Sequence, residues 1–499
     1  MLLAAAAAAC ASLAGAQVGG ATIVRATAVA ATNGWVPPVE QRAYAPVPVS
    51  KPLCRVEASI AGRIGFELWL PGDWNGRLLG AGVGGDAGIY NYVDMSRRVA
   101  EGFATVTTDT GHKVTQARWM ADPQARVDYE HRAVHLTAQA AKAIVARFYG
   151  QPARRSYFTG CSGGGRQALK EMQNYPGDYD GVIAGAPGPY MPLVSVRMMW
   201  SALLQKQAPD GALSDADWAL YERRATQACD RADGVADGIV ENPLACRFKP
   251  AVLLCKPGQT DGCLSAPKLA MLERIIAPMP DEAGRPMDKG LLPGVRTRPG
   301  PPSPLLRAMW ADAVYNDPHW NEDGFRRSAD LAAINRVMPD LRADSTRIAP
   351  FIARGGKAII YQGWADPSVI ARPTLDYYGR LARANGGLMR LSNAVRLFMV
   401  PGMYHCRGGP GVDSFGASGQ ESYPADPSRD MLWSLIRWVE GGHAPERIIG
   451  TRYGVDQPTL TRTLCAAPKS AVYRAGDRRL ATSYVCRADP FLTRELAAQ

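Results

Sequence analysis

Histidine is scarce in this chain, with six in 499 residues. Any chemistry that calls for an imidazole has only His112, His131, His135, His319, His405 and His443 to draw on. Beyond the N-terminal stretch there is no uncharged apolar run of the roughly 18 residues that a membrane-spanning helix needs, so no internal span is expected. No Cys-x-x-Cys pair occurs, and no cysteine–histidine cluster has zinc-ligand spacing. No helix-turn-helix, zinc-finger or RNA-recognition pattern accompanies the formal net charge of +11. The arginines are scattered rather than bunched. The charge therefore reads as a solvated basic surface, and no nucleic-acid partner is expected.

Hydrophobic residues make up 46% and charged residues 21%, an ordinary balance for a globular chain and one that excludes wholesale disorder. The length allows a full core plus a large insertion or second domain. Ten cysteines form an even set with close neighbours at 229/246, 255/263 and 465/486. Such a set reads as disulfides formed in an oxidising compartment, which points to a secreted or periplasmic protein. The N-terminal MLLAAAAAACASLAGAQ is small and apolar, as a secretion signal is, but has no Lys or Arg in front. It reads as a truncated signal, as a lipoprotein signal acylated on Cys10, or as a segment in which Cys10 is a disulfide partner.

Residues 55–70 alternate as two strands with a turn at Ala61-Gly62. Residues 78–88 read as a buried strand entering a Gly-rich loop, residues 103–109 as a strand, and residues 129–149 as a helix. A short strand over Ser156–Thr159, a tight turn over Gly160–Gly164 and a helix over Gly165–Asn174 follow, then a strand near 181–187. Alternating strands and helices predict a mostly parallel sheet covered on both faces. From Pro189 to about Ala349 the chain is richer in Trp, Pro, Arg and Asp. The strand pattern then returns at Lys357 and again at 395–406, followed by an amphipathic segment over 430–440. The expected fold class is α/β: one core over 1–188 and 350–499, interrupted by a large insertion over 189–349.

Gly160-Cys161-Ser162-Gly163-Gly164 fits the Gly-x-Ser-x-Gly elbow of a serine hydrolase. The expected architecture is therefore an α/β-hydrolase fold, with 1–188 and 350–499 as the catalytic domain and 189–349 as a large inserted lid. The chain must pass from strand to helix within a few residues while the Ser holds a strained backbone conformation. Flanking glycines remove the Cβ atoms that would clash. The hydroxyl then projects at a helix N-terminus, where N–H groups favour developing negative charge. A phosphate-binding loop is set aside because no Gly-Lys-Ser/Thr follows.

A serine needs a base, and the base needs an orienting carboxylate. Three histidines follow Ser162. His319 lies in the insertion and His443 in a loop past the amphipathic segment, whereas His405 follows the strand-like RLFMV and a Pro-Gly turn. Asp366 follows the strand KAIIYQGW, while the lesser candidate Asp376 falls in the next helix. Cys161 precedes the Ser and Cys406 follows the His. If Ser162 and His405 meet, these two cysteines approach as well, and a disulfide between them would clamp nucleophile to base. It would close a loop of roughly 245 residues, worth about 5 kcal/mol by chain entropy before strain.

CRVEASI, ELWLPGDWNGRLLGAG, YFTGCSGGGRQALKEMQNYPGDYDGVIAGAP, CDRADGVADGIVENPLAC, IIYQGWADP, LFMVPGMYHCRGGPG and the tail TRTLC…YVC together resemble the tannase and feruloyl esterase family along nearly the whole chain. That family also includes a bacterial hydrolase of mono(2-hydroxyethyl) terephthalate. The resemblance implies a triad of Ser162, Asp366 and His405 with a Cys161–Cys406 disulfide. It implies an oxyanion hole from the N–H groups of Gly163 and Gly85. It further implies disulfides 229–246, 255–263, 465–486 and Cys10–Cys54, the last favouring a clipped signal remnant at the N-terminus.

CDRADGVADGI holds Asp230, Asp233 and Asp237 interleaved with glycines, a pattern that suits calcium or a plain acidic turn. It lacks the terminal bidentate Glu of a helix–loop–helix hand. The resemblance favours structural Ca2+ and adds the carbonyls of Val235 and Ile239 as ligands. The expected activity is hydrolysis of small aromatic, phenolic-acid esters such as feruloyl or galloyl esters through an acyl-enzyme on Ser162. The lid would supply aromatic walls from Trp200, Trp310, Tyr315 and Trp320. A terephthalate-monoester hydrolase is disfavoured: the lid is shorter, Val369 stands at a bulkier aromatic position, and Gly163 stands where that enzyme has an acidic residue. A peptidase, an acyltransferase or a non-catalytic binding protein of the same fold is the alternative.

Overall fold

The computed structural model describes residues 2–38, 44–297, 300–455 and 457–498. One unit comprises Met1–Pro187, Arg347–Ile359 and Gly416–Ala444, and the other Gly188–Thr346, Ile360–Phe415 and Pro445–Gln499. The insertion expected over 189–349 thus falls almost wholly in the second unit. The stretch 350–499 is divided between the two.

The first unit is built on a twisted mixed sheet. Its strands are β1 (Gln17–Val18), β2 (Ala21–Val29), β3 (Leu53–Ile60), β4 (Ile64–Pro71), β5 (Arg77–Ala81), β6 (Ala104–Thr108), β7 (Arg155–Cys161) and β8 (Gly181–Gly185). They lie in the order β1-β2-β3-β4-β6-β5-β7-β8. The leading strands pair antiparallel, whereas β6, β5, β7 and β8 pair parallel. The alternating run at 55–70 forms the β3–β4 hairpin. Three residues, 61–63, join the strands: Ala61 and Gly62 both take positive φ, and the Arg63 N–H closes the turn on the Ile60 carbonyl at 3.1 Å, the backbone twist a tight hairpin favours. The parallel strands are buried along nearly their whole length, which explains their continuous rather than alternating apolar runs. Leu68, Val106, Ala133, Ala140 and Ile144 pack in one core, where the helix Ala133–Tyr149 covers the sheet.

Parallel pairing decides where function sits. The C-terminal ends of β5, β6 and β7 emerge at the same sheet edge, and the segments that follow them are neighbours there.

In the second unit the described residues of 189–346 form helices and turns, including Met191–Gln207, Asp215–Cys229 and Ala266–Ile276. Strand β9 (Lys357–Gly363) ends in this unit, beside β10 (Val395–Val400). Disulfides join Cys10 to Cys54, Cys229 to Cys246, Cys255 to Cys263 and Cys465 to Cys486. Cys161 and Cys406 are each disulfide-bonded, and among the described residues no cysteine is free. No helix among them is long and apolar enough to cross a membrane.

Candidate active site

Strand β7 runs two residues further than its sequence suggests, to Cys161, and the next helix begins at Gly163. Pairing with β8 through Gly160 and Cys161 holds both residues in the sheet. Ser162 alone makes the turn, at φ 60° and ψ −124°, a strained conformation for a residue with a side chain. Its N–H bonds the carbonyl of Gly185 at 2.9 Å. A Cβ on Gly160 would lie 2.5 Å from the Gly164 carbonyl, and one on Gly163 would lie 3.1 Å from the Val83 oxygen. The acidic side chain considered at position 163 therefore has little room here.

The loop after β5 lies against this elbow, as their parallel pairing demands. A Cβ on Gly84 would come within 3.6 Å of the Ser162 Cβ. Gly82 N–H donates to the Thr159 carbonyl at 2.8 Å, and Val83 N–H donates to Gln167 Oε1 at 3.1 Å. Among the described residues, neither the Gly85 N–H nor the Gly163 N–H has a hydrogen-bond partner. Gly163 opens its helix, so its amide has no carbonyl one turn earlier to reach. The two amides expected as an oxyanion hole are thus both free donors on segments that touch.

In the second unit the ends of β9 and β10 bring Asp366 and His405 together. Trp364 N–H donates to the Val400 carbonyl at 3.0 Å, and Ala365 N–H to that of Met403 at 3.2 Å. His405 Nδ1 meets Asp366 Oδ2 at 2.7 Å. The Asp366 carboxylate is wholly buried. It accepts from the Ser368 and Val369 N–H groups, each at 2.9 Å, and from Gln362 Nε2 at 3.1 Å. A carboxylate fixed by three donors fixes the ring in turn. Nδ1 carries the proton toward Asp366, which leaves Nε2 as the basic nitrogen. Asp376 instead lies on the helix Ala371–Ala384, where it pairs with Lys289. His443 is exposed, as is His319.

The family model for tannase and feruloyl esterase matches residues 48–303 and 306–487. The chain belongs to the tannase and feruloyl esterase family. A probable feruloyl esterase B-2 of Aspergillus flavus is 34% identical over 429 residues, covering 83% of this chain and 82% of that protein. An uncharacterized esterase of Xanthomonas campestris pv. campestris is 33% identical over 473 residues, covering 86% and 82%. The crystal structure of feruloyl esterase B from Aspergillus oryzae superposes with a TM-score of 0.90 at 26% identity, covering 97% of this chain and all of that one. This member of the tannase and feruloyl esterase family is a carboxylic ester hydrolase of the α/β-hydrolase type.

A cavity of about 200 Å³ in the second unit of this esterase opens beside the loop that follows Asp366. Pro367 and Ser368 line it, together with Val194, Met198, Leu306 and Ile370. None of the four expected aromatic walls is among its lining residues. Trp310 is fully buried and packs edge-on against Phe325. Tyr315 stacks with Trp320, and Trp200 lies under the Arg197 guanidinium.

The acidic segment after Cys229 wraps tightly, with Gly234 and Gly238 at positive φ. The Asp230 carboxylate accepts the N–H groups of Asp237, Gly238 and Ile239 at 3.0–3.2 Å. Asp233 accepts from Val235, and Asp237 from Ile239. The carbonyls of Val235 and Ile239 accept no hydrogen bond among the described residues. The buried Arg462 guanidinium reaches Asp237 at 2.6 Å, Asp233 at 3.0 Å and Glu241 at 3.2 Å. Burial pushes Asp233 up to about 6 and Glu241 up to about 7, against the pull of Arg462. The cluster sets Asp230, Asp233, Asp237 and Glu241 against one buried arginine, and the acceptor atoms around it are all oxygen, the donor type a hard divalent ion takes. Among the described residues, however, no three His, Cys, Asp or Glu side chains converge as a finished metal site.

Proposed function

We propose that the enzyme is a secreted or periplasmic serine esterase that cleaves esters of aromatic, phenolic acids through an acyl-enzyme on Ser162. The reading rests most heavily on Ser162 itself, a non-glycine residue held at φ 60° and ψ −124° beside two free amides. His405 Nε2 takes the hydroxyl proton as the serine attacks the ester carbonyl, and Asp366 holds the ring. The Gly163 and Gly85 N–H groups receive the oxyanion. His405 returns the proton to the departing alcohol, and water then cleaves the acyl-enzyme. Cys161 and Cys406, each disulfide-bonded, are the pair that would tie nucleophile to base. The disulfide-rich chain supports an extracytoplasmic location.

The names of its relatives support feruloyl-type acyl groups, and the apolar cavity beside Asp366 offers space for one substituted ring. Residues 189–349 would act as the lid over the site. Calcium would be held by Asp230, Asp233 and Asp237 with the carbonyls of Val235 and Ile239, as a brace for this region rather than a participant in the reaction.

Initial rates on methyl ferulate, methyl gallate, a mono-hydroxyethyl terephthalate ester and a short aliphatic ester test the reading, with Ser162→Ala as control. Turnover should favour a phenolic ester and fall by about 10³-fold or more in the variant. Activity that survives Ser162→Ala excludes the mechanism. Activity confined to the aliphatic ester keeps the mechanism and removes the aromatic acyl group.

A further inference from the structure

Strand β6 ends at the same sheet edge as β5, so the turn after it, Asp109–Lys113, arrives beside the loop that carries Gly85, where the Gly88 N–H donates to the Asp109 carbonyl at 3.1 Å. It brings a buried histidine outside the proposed triad. His112 Nε2 lies 2.7 Å from the carbonyl of Asp86. A carbonyl only accepts, so Nε2 carries the proton and donates. Its ring stacks on Trp119 with centroids 3.7 Å apart. Next to it, the Tyr129 hydroxyl donates to the carbonyl of Gly85 at 3.0 Å. Tyr129 sits on a π-helical turn, Asp128–Arg132, a distortion often kept where a side chain must be aimed. The Trp119 and Tyr129 rings meet with centroids 5.0 Å apart.

The third member comes from the nucleophile's own helix. Arg166, buried, has its N–H on the Ser162 carbonyl at 2.9 Å. Its guanidinium donates to the carbonyls of Glu130 at 2.7 Å and Tyr129 at 3.0 Å, and lies over the Tyr129 ring. A continuous chain of contacts therefore runs from the Ser162 helix through Arg166 to Tyr129, and from Tyr129 to the loop that carries Gly85.

We infer that His112 and Tyr129 are positioning residues for the oxyanion hole: they hold the Gly85 and Asp86 carbonyls from behind, so that the Gly85 amide stays free and faces the reacting carbonyl. The inference rests on the serine-esterase reading above. A peptide plane has its N–H and C=O fixed relative to each other. The Gly85 N–H shares its plane with the Gly84 carbonyl, which accepts the Ala87 N–H at 3.2 Å. Anchoring the carbonyls of Gly85 and Asp86 fixes the next two planes, which carry the Asp86 and Ala87 amides, and so limits how far the Gly84–Gly85 plane between them and the strand can swing. Without these donors the loop's glycines could rotate, and a donor displaced from the oxyanion would be lost as the charge develops, while ground-state binding hardly changes.

The test compares Tyr129→Phe, His112→Ala and His112→Gln with the parent on methyl ferulate. The Gln amide is placed to donate as Nε2 does. Phenylboronic acid, which forms a tetrahedral adduct with an active serine, reads the oxyanion site without turnover. Tyr129→Phe and His112→Ala should lower kcat by about tenfold with KM within about twofold, a fraction of the loss seen when an oxyanion donor itself is removed. Phenylboronate affinity should fall in step, and His112→Gln should recover most of it. Folded Tyr129→Phe and His112→Ala proteins with unchanged kcat and phenylboronate affinity, in a background where Ser162→Ala is inactive, would overturn the inference and leave the esterase reading standing. Turnover that survives Ser162→Ala would remove both.

Discussion

Two glycine-interleaved loops in this enzyme use the backbone in opposite senses. In the loop at 82–88, side-chain donors take up carbonyls: Tyr129 holds that of Gly85 and His112 that of Asp86. The amide left over is electropositive. In the loop at 230–239, side-chain acceptors take up amides: Asp230 holds those of Asp237, Gly238 and Ile239. The carbonyls left over, at Val235 and Ile239, are electronegative. Glycine gives both loops their curvature. The chemistry of the residues behind them decides which backbone groups are left over, amides in one loop and carbonyls in the other.

The largest test of this contrast is Arg462→Met. It strips the shared cation from Asp233, Asp237 and Glu241, and should cost about 3–5 kcal/mol in denaturant unfolding. A loss below about 1 kcal/mol would mean that the acidic loop balances its charge without the arginine. Acid strikes the other loop. Burial holds His112 down to about 4, against 6.5 for an unperturbed histidine. Between those values the unfolded chain binds a proton that the folded chain refuses. The stability linked to His112 is full above about pH 6.5 and declines, by roughly 3 kcal/mol in all, as the pH falls toward 4. Urea midpoints measured across that range should drop less steeply in His112→Gln, and parallel curves for the two proteins would count against it.

Chelation comes next. With free calcium at about 100 times its dissociation constant, removal should withdraw about 2.7 kcal/mol, seen as a lower melting temperature that added calcium restores. An unchanged melting curve, with no metal found by elemental analysis, counts against the ion. The smallest effect is expected at Gly85→Ala. Nothing lies within 4 Å of the new Cβ, but φ is +64°, so the cost is about 1 kcal/mol of backbone strain. A much larger loss would show that the loop had been forced to flip.

The strands from residue 55 to 187 and the strand–turn–helix at Ser162 were legible because both are local. The order of the strands in the sheet, with β6 between β4 and β5, and the strands at 17–29 were not, because pairing is set by distant segments. The turn at Ser162 likewise proved shorter than its glycines suggest, because pairing with β8 extends β7 to Cys161. That Asp366 and His405 meet was legible from their places after two strands. His112 was not, because a search for the base looks only past the nucleophile. Its signal was present in TDTGHK, directly after a strand parallel to those that carry Gly85 and Ser162. The aromatic residues of 189–349 are harder to read for another reason. Trp310 and Phe325, or Tyr315 and Trp320, satisfy one another, and composition cannot say which rings face a ligand and which face their neighbours. Arg462 lies more than 200 positions from Asp237, beyond the reach of any spacing argument.

The disulfide between Cys229 and Cys246 brackets the acidic loop from both ends. A peptidase that cuts anywhere from Asp230 to Ala245 opens a ring rather than severing a chain. The nicked enzyme would travel as one species on a non-reducing gel and part into two fragments only when a thiol is added, so a single proteolytic wound in this loop releases no piece of the molecule.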